Sequence, residues 1–295
     1  MTENTKKNSR FRKNLPIIII IIVLALVTLT FFGDMIRAHI LGEDSVETIS
    51  IDGKPGDGKM TPPGVEKPND PPKEPEKTPE ELAADLAQVS DTSNSTTFYD
   101  TPYVPEGADV NLQLINKVCG VGKDYKPANL QLTKYRATDR AEANQYMVDY
   151  AADAMDAMIE GAMKEGYTIL VTTAYRSYSM QSTLYNNYVA KDGQAAADRY
   201  SARPGTSEHQ SGLASDLTSP SVGGRLTNDF ADTDEGKWLK EHSWEYGFIK
   251  RFPEDGEAIT GYMHEAWHYR YVGREAAEYI MKNGLTLEEY IAEKF

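Results

Sequence analysis

Cysteine is nearly absent from this chain of 295 residues, which carries only Cys119. One thiol cannot close an intrachain disulfide, nor by itself build a thiolate metal site. Its plain reading is a small buried apolar side chain. Positive charge is also in short supply, with 31 Lys and Arg against 45 Asp and Glu and a net charge of −14. That balance excludes the basic face a nucleic-acid binder needs. Histidine is sparse, limited to His39, His209, His242, His264 and His268. There is no internal repeat. Neither a Ser-x-x-Lys set nor a G-x-S-x-G elbow occurs, which disfavours a serine peptidase.

Apolar residues make up 40% of the chain while mean hydropathy is −0.53, so a sizeable core is expected beside some very polar stretch. Residues 1–14 hold Lys6, Lys7, Arg10, Arg12 and Lys13 against one acid, Glu3, and read as a cytoplasmic basic tail. Next comes an uncharged apolar run, LPIIIIIIVLALVTLTFFG over 15–33, close to the ~20 residues a membrane helix needs. In lipid every backbone group must bond internally, so even six consecutive isoleucines are helical there. Residues 15–36 are expected to anchor the chain in a lipid bilayer, single-pass, with the part after them exported. No small-x-small cleavage site follows the run, which argues against a removed signal peptide.

Residues 37–98 read as a disordered spacer. Eight of the fifteen prolines fall between Pro55 and Pro79, among Lys, Glu, Asp and Gly, and apolar side chains to offset ordering entropy are few. Within it, Pro79–Ala87 reads as a short helix capped by Thr78. The spacer's polar part, from about residue 42 to 98, gives an r.m.s. reach of roughly 40 Å.

From Tyr99 to Phe295 the pattern is globular. Asp139–Glu165 reads as one long helix, with Asp139 and Glu142 as a capping box and Met147, Tyr150, Ala151, Ala154, Met158 and Met163 near one face. Tyr167–Thr173 reads as a strand, Ser179–Val189 and Ala195–Tyr200 as helices, and Gly212–Thr218 as a strand. Glu235–Tyr246 reads as a helix, Phe248–Phe252 and Glu265–Val272 as strands, and Gly273–Asn283 as a helix. Short elements without regular βαβ alternation imply an α+β fold.

Two polar clusters hold three of the histidines: Ser207-Glu208-His209-Gln210-Ser211-Gly212-Leu213-Ala214-Ser215-Asp216 and His264-Glu265-Ala266-Trp267-His268. Two neutral imidazoles and one carboxylate suit a hydrolytic zinc, which keeps a position open and lowers the pKa of a water to about 7. A further carboxylate, such as Glu265, then serves as proton acceptor. Spacing alone is weak and favours a hydrogen-bonded structural pair of His209 and Asp216 over a pair of ligands.

These clusters fill every fixed position of S-x-H-x-x-G-x-A-x-D followed by E-x-W-H: Ser207, His209, Gly212, Ala214 and Asp216, then Glu265, Trp267 and His268. Tyr175-Arg176-Ser177 with Gln181 adds a Y-R-S…Q block. Over roughly residues 110–290 the chain resembles the VanY-type zinc D-alanyl-D-alanine carboxypeptidases, a family that also contains L,D-carboxypeptidases. The resemblance implies a small, mainly antiparallel sheet flanked by helices, of the DD-peptidase/Hedgehog-like kind. It implies one Zn2+ held by His209, Asp216 and His268, and Glu265 taking a proton from the attacking water and passing it to the leaving amine. Arg176 would stabilise the oxyanion or grip the substrate's terminal carboxylate. Gln181, Ser207 and Tyr271 would contact substrate, and Trp267 would pack under the His268 strand. The implied partner is the peptidoglycan stem peptide; no protein partner is deducible. His264 departs from the usual pattern and is expected outside the ligand set, and His39 and His242 read as exposed. Two rivals stay open: L,D cleavage of tetrapeptide stems, and a non-catalytic wall-binding module.

Overall fold

The computed structural model describes residues 77–90 and 95–295. The expected basic tail, the apolar run 15–36 and most of the spacer lie outside the described residues. Among the described residues no helix is long and apolar enough to cross a membrane.

Helix α1, Pro79–Val89, begins with a capping box. The Thr78 side chain accepts from the Glu81 N–H while Glu81 Oε2 accepts from the Thr78 N–H. Leu82, Leu86 and Val89 form a stripe that packs on the last helix, and Lys77 Nζ donates to the Ala292 carbonyl at 2.8 Å. Residues read as the disordered end of the spacer are therefore structured, because this stripe finds an apolar partner. Strand β1 (Thr97–Tyr99) then pairs in parallel with β2 (Cys119–Val121).

The long helix read from Asp139 is shorter than expected. Glu142–Asn144 is a 3-10 turn, and Tyr146–Val148 is a strand, β4, antiparallel to β3 (Leu130–Leu132). Its aromatic and β-branched residues suit a pleated edge better than a helix. Helix α2 starts only at Asp149 and runs to Lys164. Its buried face is Ala151, Ala152, Met155, Met158, Ile159 and Ala162, while Tyr150 and Met163, expected on that face, are exposed.

Four antiparallel strands form the main sheet in the order β5 (Leu170–Thr173), β6 (Ala214–Thr218), β8 (Glu265–Tyr271), β7 (Phe248–Phe252). Between them lie α3 (Tyr178–Asp192), α4 (Gln194–Tyr200), α5 (Asp234–His242) and α6 (Glu257–Thr260), and after them α7 (Arg274–Asn283) and α8 (Leu287–Lys294). Helix α2 covers one face of the sheet. Met155, Met158 and Ile159 pack there with Val171, Leu217 and Phe248, each contributing about 1.5–3 kcal/mol by burial. A second core joins α1, α7 and α8 around Leu114, Ile249, Ile280 and Ile291. With one face of β6 given to the first core, the other is left for polar side chains, and all five residues of the strand are buried.

Candidate metal centre

His209 sits on a 3-10 turn, Glu208–Ser211, that ends at Gly212 in the left-handed region with φ 72°. A side chain at Gly212 would be strained by that φ and would crowd Pro127 and Val148 at 3.1 Å. The glycine thus lets the loop swing directly into β6, which carries Asp216. Cross-strand pairing places Asp216 opposite His268 on β8, and paired residues present their side chains on one face. Glu265 should alternate away from His268 three residues on. The β7–β8 register shift between the Lys250–Tyr269 and Phe252–Glu265 pairs breaks that alternation. Glu265 Oε2 consequently lies 3.8 Å from His268 Nδ1.

His209 Nε2 lies 3.3 Å from Asp216 Oδ2, and His268 Nδ1 lies 3.0 Å from Asp216 Oδ1. The two rings meet edge to face, with centroids 4.9 Å apart. One ligand atom from each of the three residues lies within 4.8 Å of the others. The outer nitrogens explain the orientation. His209 Nδ1 faces the Ala174 carbonyl at 2.6 Å and so carries the proton. His268 Nε2 faces Glu208 Oε2 at 3.4 Å. In neutral rings with the outer nitrogens protonated, both inner nitrogens would present lone pairs to a carboxylate. Acceptors facing acceptors call for a shared cation, and two imidazoles with one carboxylate suit a zinc-like ion. The residues therefore fit the metal that the motif implies.

The electrostatics follow from burial. It opposes the Asp216 charge, but His209 and His268 outweigh it and hold the carboxyl well below the usual range. Burial, then Arg176, push His209 below its ordinary value, which keeps the imidazole neutral. For His268 burial acts downward too, yet the Asp216 and Glu208 carboxylates overcome it and raise the metal-free ring to about 9. A dication competes with that proton for Nδ1, since a ligating imidazole must be neutral. Glu265 is pushed up to about 8, first by burial; His268 pulls it down and Asp216 adds to the rise.

A cavity of about 370 Å³ opens beside these groups, lined by Arg176, Gln181, Ser207, Glu265 and Trp267 among others. Arg176 Nη2 lies 3.7 Å from Asp216 Oδ2, and its Nη1 donates to Gln181 Oε1 at 2.7 Å. Gln181 in turn donates to the Ala202 carbonyl at 2.6 Å. Gln181, expected to contact substrate, lines the cavity and also orients Arg176 through its amide oxygen. Tyr271 does not reach the cavity. Three residues beyond His268, its ring packs on Phe248 and Tyr150 at the far end of β8. Trp267 both lines the cavity and packs on the core. His264 turns away, its Nδ1 2.8 Å from the Phe252 carbonyl.

Four charged residues stand behind the ligands and escaped sequence reasoning: Glu208, Arg251, Arg270 and Glu288, all at or below 5% exposed. Two of them, Glu208 and Arg270, share or adjoin the motif segments, but nothing in their spacing distinguishes a buried charge from a solvated one.

The family model for VanY, D-alanyl-D-alanine carboxypeptidase, matches residues 144–274. The chain is 41% identical over 180 residues to the "Putative carboxypeptidase YodJ" of Bacillus subtilis (strain 168), covering 61% of this chain and 66% of that protein. It spans about half the length of two enterococcal relatives. Its fold is similar to that of the LdcB LD-carboxypeptidase, with TM-score 0.60 and 36% identity over 70% of this chain and 98% of that one. It is likewise similar to a mutant of the vancomycin-resistance D,D-pentapeptidase VanY from a VanB-type cassette, solved in complex with Zn(II). There the TM-score is 0.53 and identity 31%, over 62% of this chain and 99% of that one. This chain belongs to the VanY family of D-alanyl-D-alanine carboxypeptidases.

Proposed function

We propose that this protein is a zinc-dependent carboxypeptidase that removes the C-terminal D-alanine from peptidoglycan stem peptides. The observation that carries the reading is the convergence of two imidazole lone pairs and the Asp216 carboxylate, with Glu265 and Arg176 at the cavity wall. His209, Asp216 and His268 would hold the metal, which when bound supplies Lewis acidity and makes water a stronger acid.

Glu265 is the proton carrier. Its carboxylate accepts a proton from the water that attacks the terminal peptide carbonyl and returns it to the departing amine. A nearby cation favours its ionised form, countering the burial that raises it in the metal-free chain. Arg176 distinguishes a chain end from a chain middle by pairing with the terminal carboxylate. Of the two guanidinium groups lining the cavity, Arg251 spends Nε and both Nη on Glu208 and Glu288. Arg176 keeps only the Gln181 bond and the more distant Asp216, and is the one left to meet substrate. Ser207, buried at the cavity wall, offers a hydroxyl to the peptide.

A second reading, L,D cleavage of tetrapeptide stems, is supported by the likeness to LdcB. Digestion of purified pentapeptide and tetrapeptide muropeptides with and without chelator tests both. Chelator-sensitive loss of one residue from the pentapeptide is expected; loss from the tetrapeptide alone favours the second reading, and undiminished turnover after metal removal sinks both. We further propose that residues 15–36 anchor the protein in the membrane with its catalytic part facing the wall. The uncharged run and the basic residues before it support this placement.

A further inference from the structure

A buried network of charges stands directly behind the ligand shell. Glu208 Oε2 faces His268 Nε2, while Glu208 Oε1 accepts from Arg251 Nε at 2.7 Å and from Arg270 Nη1 at 2.8 Å. Arg270 is two residues from His268 on β8, hence on the same face of the strand. Arg251 comes from the neighbouring β7. The remaining donors of Arg251 are taken by Glu288 of α8: Nη1 to Oε2 at 2.8 Å and Nη2 to Oε1 at 2.6 Å. Asn116 Nδ2 completes the chain, donating to Glu288 Oε1 at 2.9 Å and to the Val89 carbonyl at the end of α1 at 2.8 Å.

Two guanidinium groups and two carboxylates make this cluster neutral, with Arg270 and Glu288 fully buried and Arg251 1% exposed. Removing four charges from water is expensive, and apolar residues of similar volume commonly serve stability as well or better. What ionic groups supply that methylenes cannot is direction. The two oxygens of Glu208 are divided: one is locked by two arginines, and the other is thereby aimed at His268.

We propose that Glu208 is the positioning residue of the metal centre, fixing the His268 ring so that Nδ1 faces Asp216, and that α8 holds Glu208 in register through Glu288 and Arg251. This rests on the metal-centre reading given above. The last helix of the chain is then part of the site's supporting frame, linked to His268 through Glu288, Arg251 and Glu208. Glutamine cannot replace Glu208. An amide turned to satisfy His268 Nε2–H presents its NH2 to two guanidinium groups, and the reverse turn presents it to the imidazole.

The test is zinc affinity of the full chain, by competition with a fluorescent chelator, alongside circular dichroism and thermal melting. Glu208→Gln is expected to retain the parent fold and to bind zinc about 10- to 100-fold more weakly, the usual cost of losing a group that orients a ligating histidine. A purely structural role would lower the metal-free melting temperature and leave zinc affinity unchanged, and that result overturns the proposal. Should Glu208→Gln fail to fold, Glu288→Gln decides, because it leaves Glu208, Arg270 and His268 in place. Weaker zinc binding by Glu288→Gln supports the frame, and parent affinity overturns it. Asp216→Ala separates the two levels. A parent chain that binds zinc no better than Asp216→Ala removes the metal reading and this proposal together. A parent that binds well, with Glu208→Gln binding equally, removes this proposal alone.

Discussion

Glu265→Gln should inactivate the protein and, in its metal-free form, stabilise it. The carboxyl is pushed from its ordinary 4.5 up to about 8, first by burial, with the Asp216 charge adding to the rise. Between those pH values the unfolded chain releases the Glu265 proton and the folded chain keeps it. Unfolding then sheds a proton, so stability falls as pH rises through this window. At ~1.4 kcal/mol per pH unit the displacement corresponds to at most roughly 5 kcal/mol at pH 8 and above. Glutamine has the same shape and no proton to lose, so it escapes that penalty. For a folded unit of about 200 residues, each kcal/mol moves the melting temperature by about 2–4 °C. The metal-free variant should therefore melt up to about 10–20 °C above the metal-free parent at pH 8 and converge with it near pH 4.5. Melting curves of both chains in excess chelator from pH 5 to 9 measure this. His268, raised to about 9 in the metal-free chain, tilts both curves the same way, so the difference between them reports Glu265 together with its coupling to His268. Turnover of a pentapeptide stem by the zinc-loaded variant should fall about 10²- to 10⁴-fold, the span of general-base catalysis, at unchanged zinc content. Parallel melting curves across the pH range would refute the burial argument, and near-parent turnover would refute the assignment of the base.

Arg176→Lys keeps the charge but loses the fork. A charge-assisted bond is worth about 1.5–3 kcal/mol, so kcat/KM for a free-acid stem peptide should fall about 10- to 100-fold, while a C-terminally amidated peptide shows no such difference. Cys119 is 3% exposed and its thiol is pushed up to about 12, first by burial; a disulfide reagent at pH 8 should leave it untouched in the native chain and titrate one thiol per chain in denaturant. Deleting residues 1–36 should move the protein from the membrane pellet to the soluble fraction; a full-length chain that is already soluble would refute the anchor.

The strands and helices that sequence placed well are those with punctuation. Gly247 follows the turn after α5, Gly284 ends α7, and both sit in the left-handed region. What was misplaced lacks such marks. Tyr146–Val148 continues the apolar spacing of α2 without a break, and only its pairing with Leu130–Leu132, a contact between segments distant in sequence, makes it a strand. The last helix was legible and overlooked: Thr286 and Glu289 form a capping box in the same T-x-x-E spelling as Thr78 and Glu81.

The site divides along a similar line. The three ligands and Glu265 fall in two short motifs because one turn and one strand deliver the first pair, and one bulged strand delivers the second. Local spelling suffices where local geometry does the placing. Glu208 sits inside the same motif, yet its role depends on Arg251, 43 residues away, and through it on Glu288, a further 37. A glutamate beside a turn histidine is ordinarily a solvated group. It becomes a buried, oriented one only when two arginines from separate positions in the sheet arrive to neutralise it. In this protein, then, the atoms that could hold a metal are written as motifs, while the partners that surround His268 Nε2 and Glu208 come from charges scattered from β7 to the C-terminal helix.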